Sequence, residues 1–217
     1  MADKPCRKRR TSMKITILGT GRIGGTLGQK WANAGHSIIY GVRDPEGKRA
    51  AVKFDDDGVQ VEFETIGTAI AKGEVIVVAI PGSAVAEMVA EHGHAMEGKI
   101  VIDASNNMQA PKMHALDTIA EAAPGAKLFR AFNSLGWENF AQPIFDGLPA
   151  DLFYCGVEAA EALAVVENLI TDVGMRPVRV GGLEKVDIVE GVTRLWFALA
   201  QQRGRHLAFK MLIGAGA

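Results

Sequence analysis

The sequence predicts an α/β protein with a doubly wound, mainly parallel sheet, and three observations support this. Short β-branched runs alternate along the chain with alanine-rich segments of helical period. Several of these runs are almost entirely apolar, as in strands that helices cover on both faces. The chain has 217 residues, which suffices for one such domain with a small addition but not for two ordinary domains.

The alternation begins near the N-terminus. A β-branched run at residues 14–18 predicts the first strand. Gly35 then supplies a helix stop, and residues 37–40 predict a second strand parallel to the first. Between them, apolar residues at spacings of three and four predict an amphipathic helix: Ile23, Leu27, Trp31 and Ala34. This part of the chain therefore predicts one βαβ unit.

Further strands follow at intervals that leave room for connecting helices. Helices are predicted around residues 83–91 and 113–122. The sheet is therefore expected to have about eight strands. The additional strands are predicted at residues 59–63, 75–80, 100–102, 127–131, 151–156 and 176–180.

The chain changes character after residues 181–182, where strong strand signals end. A helical stripe predicts a C-terminal helix that packs on the sheet: Ile188, Val192, Leu195, Trp196 and Leu199. We therefore expect a main domain over residues 13–182 and a helical cap over residues 183–217, continuous with that domain. The cleft between cap and sheet is the predicted substrate site.

Composition excludes several classes of protein. No apolar run approaches the roughly 20 residues that span a bilayer, and the N-terminus lacks the apolar stretch of a signal peptide, so we expect a cytoplasmic protein. The two cysteines, Cys6 and Cys155, imply neither a disulfide framework nor a metal site. Residues 1–12 are basic, and a flexible solvated tail is favoured over contact with nucleic acid.

The most specific local motif lies between the first strand and the first helix. Residues 19–24 match the G-x-G-x-x-G spacing, in the context where a dinucleotide's diphosphate binds a helix N-terminus. An ordinary glycine-rich turn is the alternative. Each glycine has an expected role: Gly19 permits the tight turn, Gly21 lets the backbone approach the diphosphate, and Gly24 lets helix and strand pack closely. The motif comprises Gly19, Thr20, Gly21, Arg22, Ile23 and Gly24.

The end of the second strand bears on which dinucleotide binds. Arg43 lies 19 residues beyond Gly24, where a guanidinium can reach the 2′-phosphate of NADP, and Lys48 is close enough to help. The alternative is that Asp44 binds the ribose hydroxyls and the site prefers NAD. We favour NADP, so residues 13–182 are expected to form a Rossmann-type NADP-binding domain.

Six separated motifs occur in the order found in one known family. The motifs are ITILGTGRIGGTLG, GVRDP, VVAIPGSAV, GKIVIDASNNM, RAFNSLGWENF and GRHLAFKML. From Met13 to about Leu212 the chain resembles the deazaflavin-dependent NADP reductases, meaning coenzyme F420:NADP oxidoreductases and their bacterial relatives. It also resembles the cytosolic domain of membrane-bound metalloreductases, which pairs NADPH with a flavin. The resemblance implies an NADP-dependent oxidoreductase that passes hydride between NADPH and coenzyme F420 or a flavin.

The resemblance also implies roles for individual residues. Ile80 and Pro81 would lie along the nicotinamide half of the cofactor, and Asn106, Asn107 and Asn133 would line the reaction cleft. Asn133 also follows a predicted strand, at the sheet edge where ligands bind, although an asparagine there can instead bond its own turn.

Basic residues of the cap could meet an anionic acceptor, or they could be ordinary solvent-facing charges. These are Arg194, Arg203, Arg205 and Lys210. Trp196 is interpreted as a core residue and the histidines as surface or packing residues; His92 and His94 lack a third ligand for a metal.

Two other functions remain open at this point. One is a dehydrogenase of a small carbonyl or imine substrate, although such enzymes usually need a larger helical second domain. The other is a non-catalytic NADP-binding sensor. A homodimer is expected, because the C-terminal helix and residues 211–213 are apolar.

Overall fold

The computed structural model describes residues 12–51 and 61–214. Within them the strands are β1 (Lys14–Leu18), β2 (Ser37–Gly41), β3 (Val61–Glu64), β4 (Val75–Val78), β5 (Ile100–Asp103), β6 (Lys127–Arg130), β7 (Ile144–Phe145), β8 (Leu148–Pro149), β9 (Asp151–Gly156) and β10 (Arg176–Gly181). The helices are α1 (Arg22–Asn33), α2 (Pro45–Ala51), α3 (Ile66–Lys72), α4 (Val85–His92), α5 (Leu116–Ala122), α6 (Trp137–Ala141), α7 (Ala160–Val173) and α8 (Val186–Arg203).

Eight strands form one sheet in the order β10-β9-β6-β5-β4-β1-β2-β3. Neighbours are parallel except β6 and β9, which run antiparallel. The predicted fold class is therefore confirmed. Successive strands progress outward from β1 in one direction and from β4 in the other, so the strand order reverses between them. In such sheets ligands bind at the carboxyl ends of the strands that flank this reversal.

The central strands are buried on both faces, as their apolar sequences predict. Ile15 and Ile17 of β1 pack in a core with Trp31 of α1, whereas Leu18 packs on the other face with Val85 and Met88 of α4. Because side chains alternate across a strand, helices on both sides are needed to bury such a run.

The predicted apolar stripe of the C-terminal helix is only partly buried: Trp196 is buried as predicted, but two other members of the stripe are exposed. Ile188 and Leu195 are 54% and 50% exposed, while Glu190 and Thr193 are buried beside Trp196. The helix turns this mixed face inward because Glu190 and Thr193 find polar partners at the end of the sheet. The homodimer stays a prediction.

Other boundaries also differ from expectation. The fourth strand ends at Val78, so residues 79–81 form the turn that follows it. The two-stranded β7–β8 hairpin and a bridge in which Phe209 pairs antiparallel with Asp151 were not predicted from the sequence. Residues 59–60 of the predicted third strand, the tail through residue 11 and Cys6 lie outside the described residues. No helix in the described part of the chain could cross a membrane.

Candidate cofactor and acceptor site

The turn after β1 is built for close approach of two chain segments. Gly19 has a φ of +101°, in the left-handed region that favours glycine. A Cβ there would lie 2.8 Å from the Ala79 carbonyl oxygen and 3.0 Å from Ile80 Cγ2. The turn therefore brings the ends of β1 and β4 together, which is the tight turn that the sequence predicts for Gly19.

The other two motif glycines differ sharply in their surroundings. A Cβ at Gly21 would meet nothing within 4 Å, whereas a Cβ at Gly24 would collide with the Gly19 carbonyl oxygen and lie 3.1 Å from Ile17 Cγ2. Gly24 thus serves helix packing. Gly21 leaves open space at the N-terminus of α1, where no side chain caps the free amides. Those amides and that space fit a diphosphate group.

A cleft of about 560 Å³ extends from this loop across the ends of β2 and β4. Predicted cofactor residues from three separate stretches of sequence meet in it: Gly19, Thr20, Gly21, Arg43, Lys48, Ile80 and Pro81. His92 also lines the cleft, although the sequence analysis interpreted the histidines as surface or packing residues. Ile66 and Met88 add an apolar wall nearby. The imidazole of His92 and the apolar side chains of Ile66 and Met88 suit the adenosine half of a dinucleotide.

Asp44 lines the cleft, but its carboxylate has a structural role. Its Oδ1 accepts a hydrogen bond from the Gly47 backbone N–H at 3.0 Å, which caps the start of α2. Arg43 is exposed and makes no such bond to the described chain. This division of roles leaves the guanidinium as the group with free hydrogen-bond donors for a 2′-phosphate.

A second pocket of about 250 Å³ lies on the other side of the glycine loop. Arg22 and Ile23 line this pocket rather than the larger cleft, so the two cavities meet at the consecutive residues Gly21 and Arg22. The remaining lining residues come from the loops after β5 and β6 and from the C-terminal segment: Asn106, Asn133, Leu135, Gly136, Trp137, Trp196, Phe197 and Arg205. The cleft predicted between cap and sheet is therefore present.

Two guanidinium groups stack on tryptophan rings in this second pocket. Arg22 Cζ lies 5.6 Å from the ring centroid of Trp137, and Arg205 Cζ lies 5.0 Å from that of Trp196. Arg205 Nε also donates to Glu138 Oε1 at 2.7 Å. Burial raises the pKa of Glu138, but the hydrogen bond from Arg205 and other favourable interactions more than offset it, so that pKa lies below its usual value. Cationic and aromatic walls together suit a flat, anionic ligand.

The other basic residues of the cap are not in this pocket. Arg194 pairs with Glu190 at 3.5 Å, and Lys210 pairs with Asp151 at 3.1 Å. Arg203 ends α8 and is exposed. Of the four basic candidates, Arg205 alone lines the pocket.

The three predicted cleft asparagines also differ in whether they line the second pocket. Asn106 and Asn133 line the second pocket, and Asn106 Nδ2 donates to the Asn133 carbonyl oxygen at 2.8 Å. Asn107 does not line it. Its backbone N–H donates to the Met113 carbonyl oxygen at 2.9 Å and its Oδ1 accepts from Gln109 N–H, so it holds its own turn.

A buried charge network supports the pocket from below, and sequence reasoning missed it. Arg130, at the end of β6, is fully buried between Asp103 Oδ2 at 3.2 Å and Glu190 Oε1 at 3.7 Å. Its Nη2 donates to Asn106 Oδ1 at 2.7 Å, which fixes that side chain in the pocket wall. The available signal was a charged residue at the end of each of two neighbouring strands, Asp103 and Arg130. A buried charge needs a partner, but the sequence does not name Glu190 as that partner.

Comparison with known proteins bears on the identity of the site. Residues 14–107 match the model of the family described as NADP oxidoreductase, coenzyme F420-dependent. Over this segment the chain is similar to that family. The matched segment contains the whole glycine motif, Arg43, Pro81 and Asn106. The resemblance that the sequence analysis identified, and the prediction of an NADP-dependent oxidoreductase, are confirmed at this level.

Curated relatives extend the likeness beyond the matched segment. The F420-dependent NADP reductase of Methanothermobacter thermautotrophicus is 28% identical over 204 residues, covering 84% of this chain and 87% of the relative. The metalloreductase STEAP3 of Rattus norvegicus is 28% identical over 184 residues, covering 82% of this chain and 36% of the relative. Both kinds of protein named by the resemblance are therefore similar to this chain.

Solved structures support the fold. A protein from Arthrobacter sp. FB24, described provisionally as an F420-dependent NADP reductase, has a TM-score of 0.80 at 24% identity and covers 93% of this chain and 100% of its own. A reductive aminase from Aspergillus terreus, solved with NADPH4, cyclohexanone and allyl amine, has a TM-score of 0.65 at 21% identity. It covers 87% of this chain and 61% of its own length.

Proposed function

We propose that this chain binds NADP(H) across the two adjoining cavities and transfers hydride between its nicotinamide and a deazaflavin or flavin-type acceptor. The family supports an NADP-dependent oxidoreductase. The proposal adds the acceptor class and the residues that receive each part of the two ligands.

The observation that carries the proposal is that Gly21 and Arg22, adjacent in the chain, line different cavities. The larger cleft offers free helix amides, Arg43 and Lys48, all suited to phosphate groups. The smaller pocket offers two stacked guanidinium groups and aromatic walls, suited to a planar ring with a negative charge. A dinucleotide bound over the glycine loop would thus direct its reactive ring toward a pocket that suits a second ring.

The residues of the smaller pocket serve hydride transfer by position rather than by proton transfer. Bound NADPH supplies the hydride. Such a reaction needs two rings held close together, in the right orientation and away from water. Ile23, Trp137, Trp196 and Phe197 provide apolar surfaces that exclude water, and Asn106 is held in place by Arg130. No histidine of the described residues lines this pocket.

Stopped-flow mixing tests the acceptor class. Protein loaded with NADPH is mixed separately with a deazaflavin, with flavins, with ferric chelates and with cyclic imines, and nicotinamide absorbance is followed. We expect rapid oxidation with the deazaflavin or a flavin. Oxidation by an imine alone would instead support the carbonyl or imine dehydrogenase alternative. NADPH binding without oxidation by any acceptor would contradict the proposal and favour the sensor.

A matched pair of variants tests whether the smaller pocket is the acceptor site. Arg22→Gln should raise the acceptor KM roughly tenfold, because it removes a charged hydrogen-bond donor from the pocket wall. Arg203→Gln is the control, since Arg203 is also basic but lies outside the pocket. Equal effects of the two substitutions would assign the acceptor to another surface.

A further inference from the structure

The three tryptophans of the chain differ in one respect. Trp31 Nε1 donates to the Leu169 carbonyl oxygen at 2.9 Å, and Trp196 Nε1 donates to the Leu207 carbonyl oxygen at 2.9 Å. Trp137 Nε1 is buried and has no hydrogen-bond partner among the described residues. An indole N–H can only donate, so Trp137 carries an unused donor beside the second pocket.

Unpaired polar atoms are concentrated in the segment that contains Trp137. Asn133 Oδ1, Ser134 Oγ and Asn139 Oδ1 are likewise buried without a partner in the described part of the chain. Each such atom gives up its hydrogen bonds to water on folding, and an atom that stays unpaired destabilises the fold. A cluster of them within seven consecutive residues, from the loop after β6 into α6, calls for a ligand or bound water that pairs with them.

Asn133 presents a defined acceptor. Its side chain is 3% exposed, and its Nδ2 donates to Thr193 Oγ1 at 2.9 Å. Thr193 Oγ1 in turn donates to the Val189 carbonyl oxygen at 3.2 Å. Both bonds are satisfied when the amide nitrogen points toward α8, and this orientation leaves Oδ1 as the free acceptor.

The residue before Asn133 has a costly backbone conformation. The preceding residue, Phe132, has a φ of +61°, which is rare for a bulky side chain. Its ring packs edge-on against Trp31 at 5.5 Å and Phe140 at 5.8 Å. This packing fixes the turn, so Asn133 is positioned by the core rather than by its own flexible loop.

We infer that Asn133 Oδ1 and Trp137 Nε1–H together recognise an amide group, a carbonyl beside an N–H, on the ring that occupies the second pocket. The inference rests on the proposed function and names its specificity-determining residues. An acceptor oxygen and a donor N–H are complementary to the N–H and the carbonyl of an amide. The nicotinamide carboxamide has this chemistry, and so does the pyrimidinedione edge of a flavin or deazaflavin.

The substitution Trp137→Phe tests the donor, because it removes the N–H and retains an aromatic ring. We expect the Kd of NADPH or the KM of the acceptor to rise roughly tenfold, the loss of one hydrogen bond. An increase in the Kd of NADPH, measured by nucleotide fluorescence, would identify the nicotinamide carboxamide as the group that Trp137 binds. An increase confined to the KM of the acceptor would identify the acceptor ring as the group that Trp137 binds. Both constants within twofold of those of the wild type would overturn the inference.

Trp196→Phe is the matched control, since Trp196 lines the same pocket and stacks with an arginine but has a paired N–H. This variant leaves the Leu207 carbonyl oxygen unpaired, so its thermal unfolding midpoint should fall. The thermal unfolding midpoint of Trp137→Phe should fall less, because no protein group loses a hydrogen-bond partner in that variant. An equal fall in both variants would show that the Trp137 N–H serves the fold, and would overturn the inference.

Thr193→Val tests the acceptor independently and covers the case in which Trp137→Phe does not fold. The change is close to isosteric and frees the Asn133 amide to rotate, so the same binding constant should weaken. Unchanged constants in Thr193→Val would overturn the role of Asn133. If wild-type protein binds NADPH but reduces no acceptor, the proposed function fails by itself, and an unchanged NADPH Kd in Trp137→Phe would then overturn the inference separately.

Discussion

The two halves of the site are built in different ways. The larger cleft takes its glycine loop from one continuous segment, the β1–α1 turn, and its sides from the ends of β2 and β4. The second pocket takes its walls from the glycine loop, the β5 and β6 ends, α8 and the C-terminal segment. The first half depends on backbone groups and open space, and the second on side chains held by long-range contacts.

This difference determines which substitutions the molecule tolerates. A loop whose ligands are backbone amides loses function when a side chain fills its space. A pocket whose side chains are held by a buried charge network loses its geometry when the network is broken. Substitutions in each half test this contrast.

Breaking the buried network should have the largest effect. Arg130→Met leaves the buried Asp103 without its cation and leaves Glu190 with only the more exposed Arg194, and we expect a loss of about 3–5 kcal/mol in unfolding free energy. Denaturant unfolding measures the loss. Arg176→Met is the control, because Arg176 is partly exposed and its partner Asp151 keeps a bond from Lys210. Comparable losses in the two variants would show that burial of the network is not what matters.

Two glycines of one motif should respond oppositely to the same substitution. Gly24→Ala places a Cβ against the Gly19 carbonyl oxygen, so it should cost about 1–3 kcal/mol of unfolding free energy. Gly21→Ala meets no protein atom, so stability should change by less than about 1 kcal/mol while NADP affinity falls. Calorimetry for binding and thermal melts for stability separate the two. The comparison fails if Gly21→Ala binds NADP like the wild type.

The C-terminal segment provides a test by pH. Burial raises the pKa of Asp151, but hydrogen bonds from Arg176, Met211 N–H and Lys210 outweigh it and hold that pKa below its usual value. A carboxylate with a depressed folded-state pKa stabilises the fold above its unfolded pKa, about 3.9, and loses that contribution as the pH falls further.

Comparison of the wild type with the Asp151→Asn variant checks the direction of this pH dependence. The variant should unfold about 1–3 kcal/mol more easily than the wild type at neutral pH. The difference in unfolding free energy between the wild type and the variant should stay constant down to about pH 4 and become smaller below it. Denaturant unfolding at a series of pH values measures it. A gap that widens on acidification would contradict the assigned hydrogen bonds.

The smallest effect concerns cofactor choice. Arg43→Ala should weaken NADP binding roughly tenfold and leave NAD binding nearly unchanged, because an exposed guanidinium contributes one charged contact to the 2′-phosphate. Titration with both nucleotides measures the two Kd values. An equal loss for both, or none for NADP, would favour Asp44 as the ribose ligand despite its bond to Gly47.

Much of the cofactor half could be predicted from sequence. Local periodicity gave the limits of β1, and motif spacing gave the roles of Gly19 and Gly24, where a Cβ would collide with neighbouring backbone. Arg22 and Ile23 were expected beside the cofactor but line the second pocket, because the first turn of α1 points their side chains toward α6 and the C-terminal segment.

The second pocket could be predicted only in part. Asn106 and Asn133 were named as cleft residues, whereas Trp137, Arg130 and Glu190 were not. Two residues of the predicted α8 stripe, Ile188 and Leu195, are exposed, since hydrophobic periodicity takes no account of a buried partner for Glu190. Pairings between residues far apart in the chain leave no signal in a local pattern.

The sequence by itself determined the alternation of strands and helices, the glycine loop after β1 and the basic residue at the end of β2, because each depends on neighbours a few positions away. The tertiary structure alone decided which face of α8 is buried, which basic residue of the C-terminal segment lines the second pocket and which tryptophan has an N–H without a partner among the described residues. Those outcomes depend on the desolvation of charged and polar groups, whose free energy is set by partners that only the folded chain brings together.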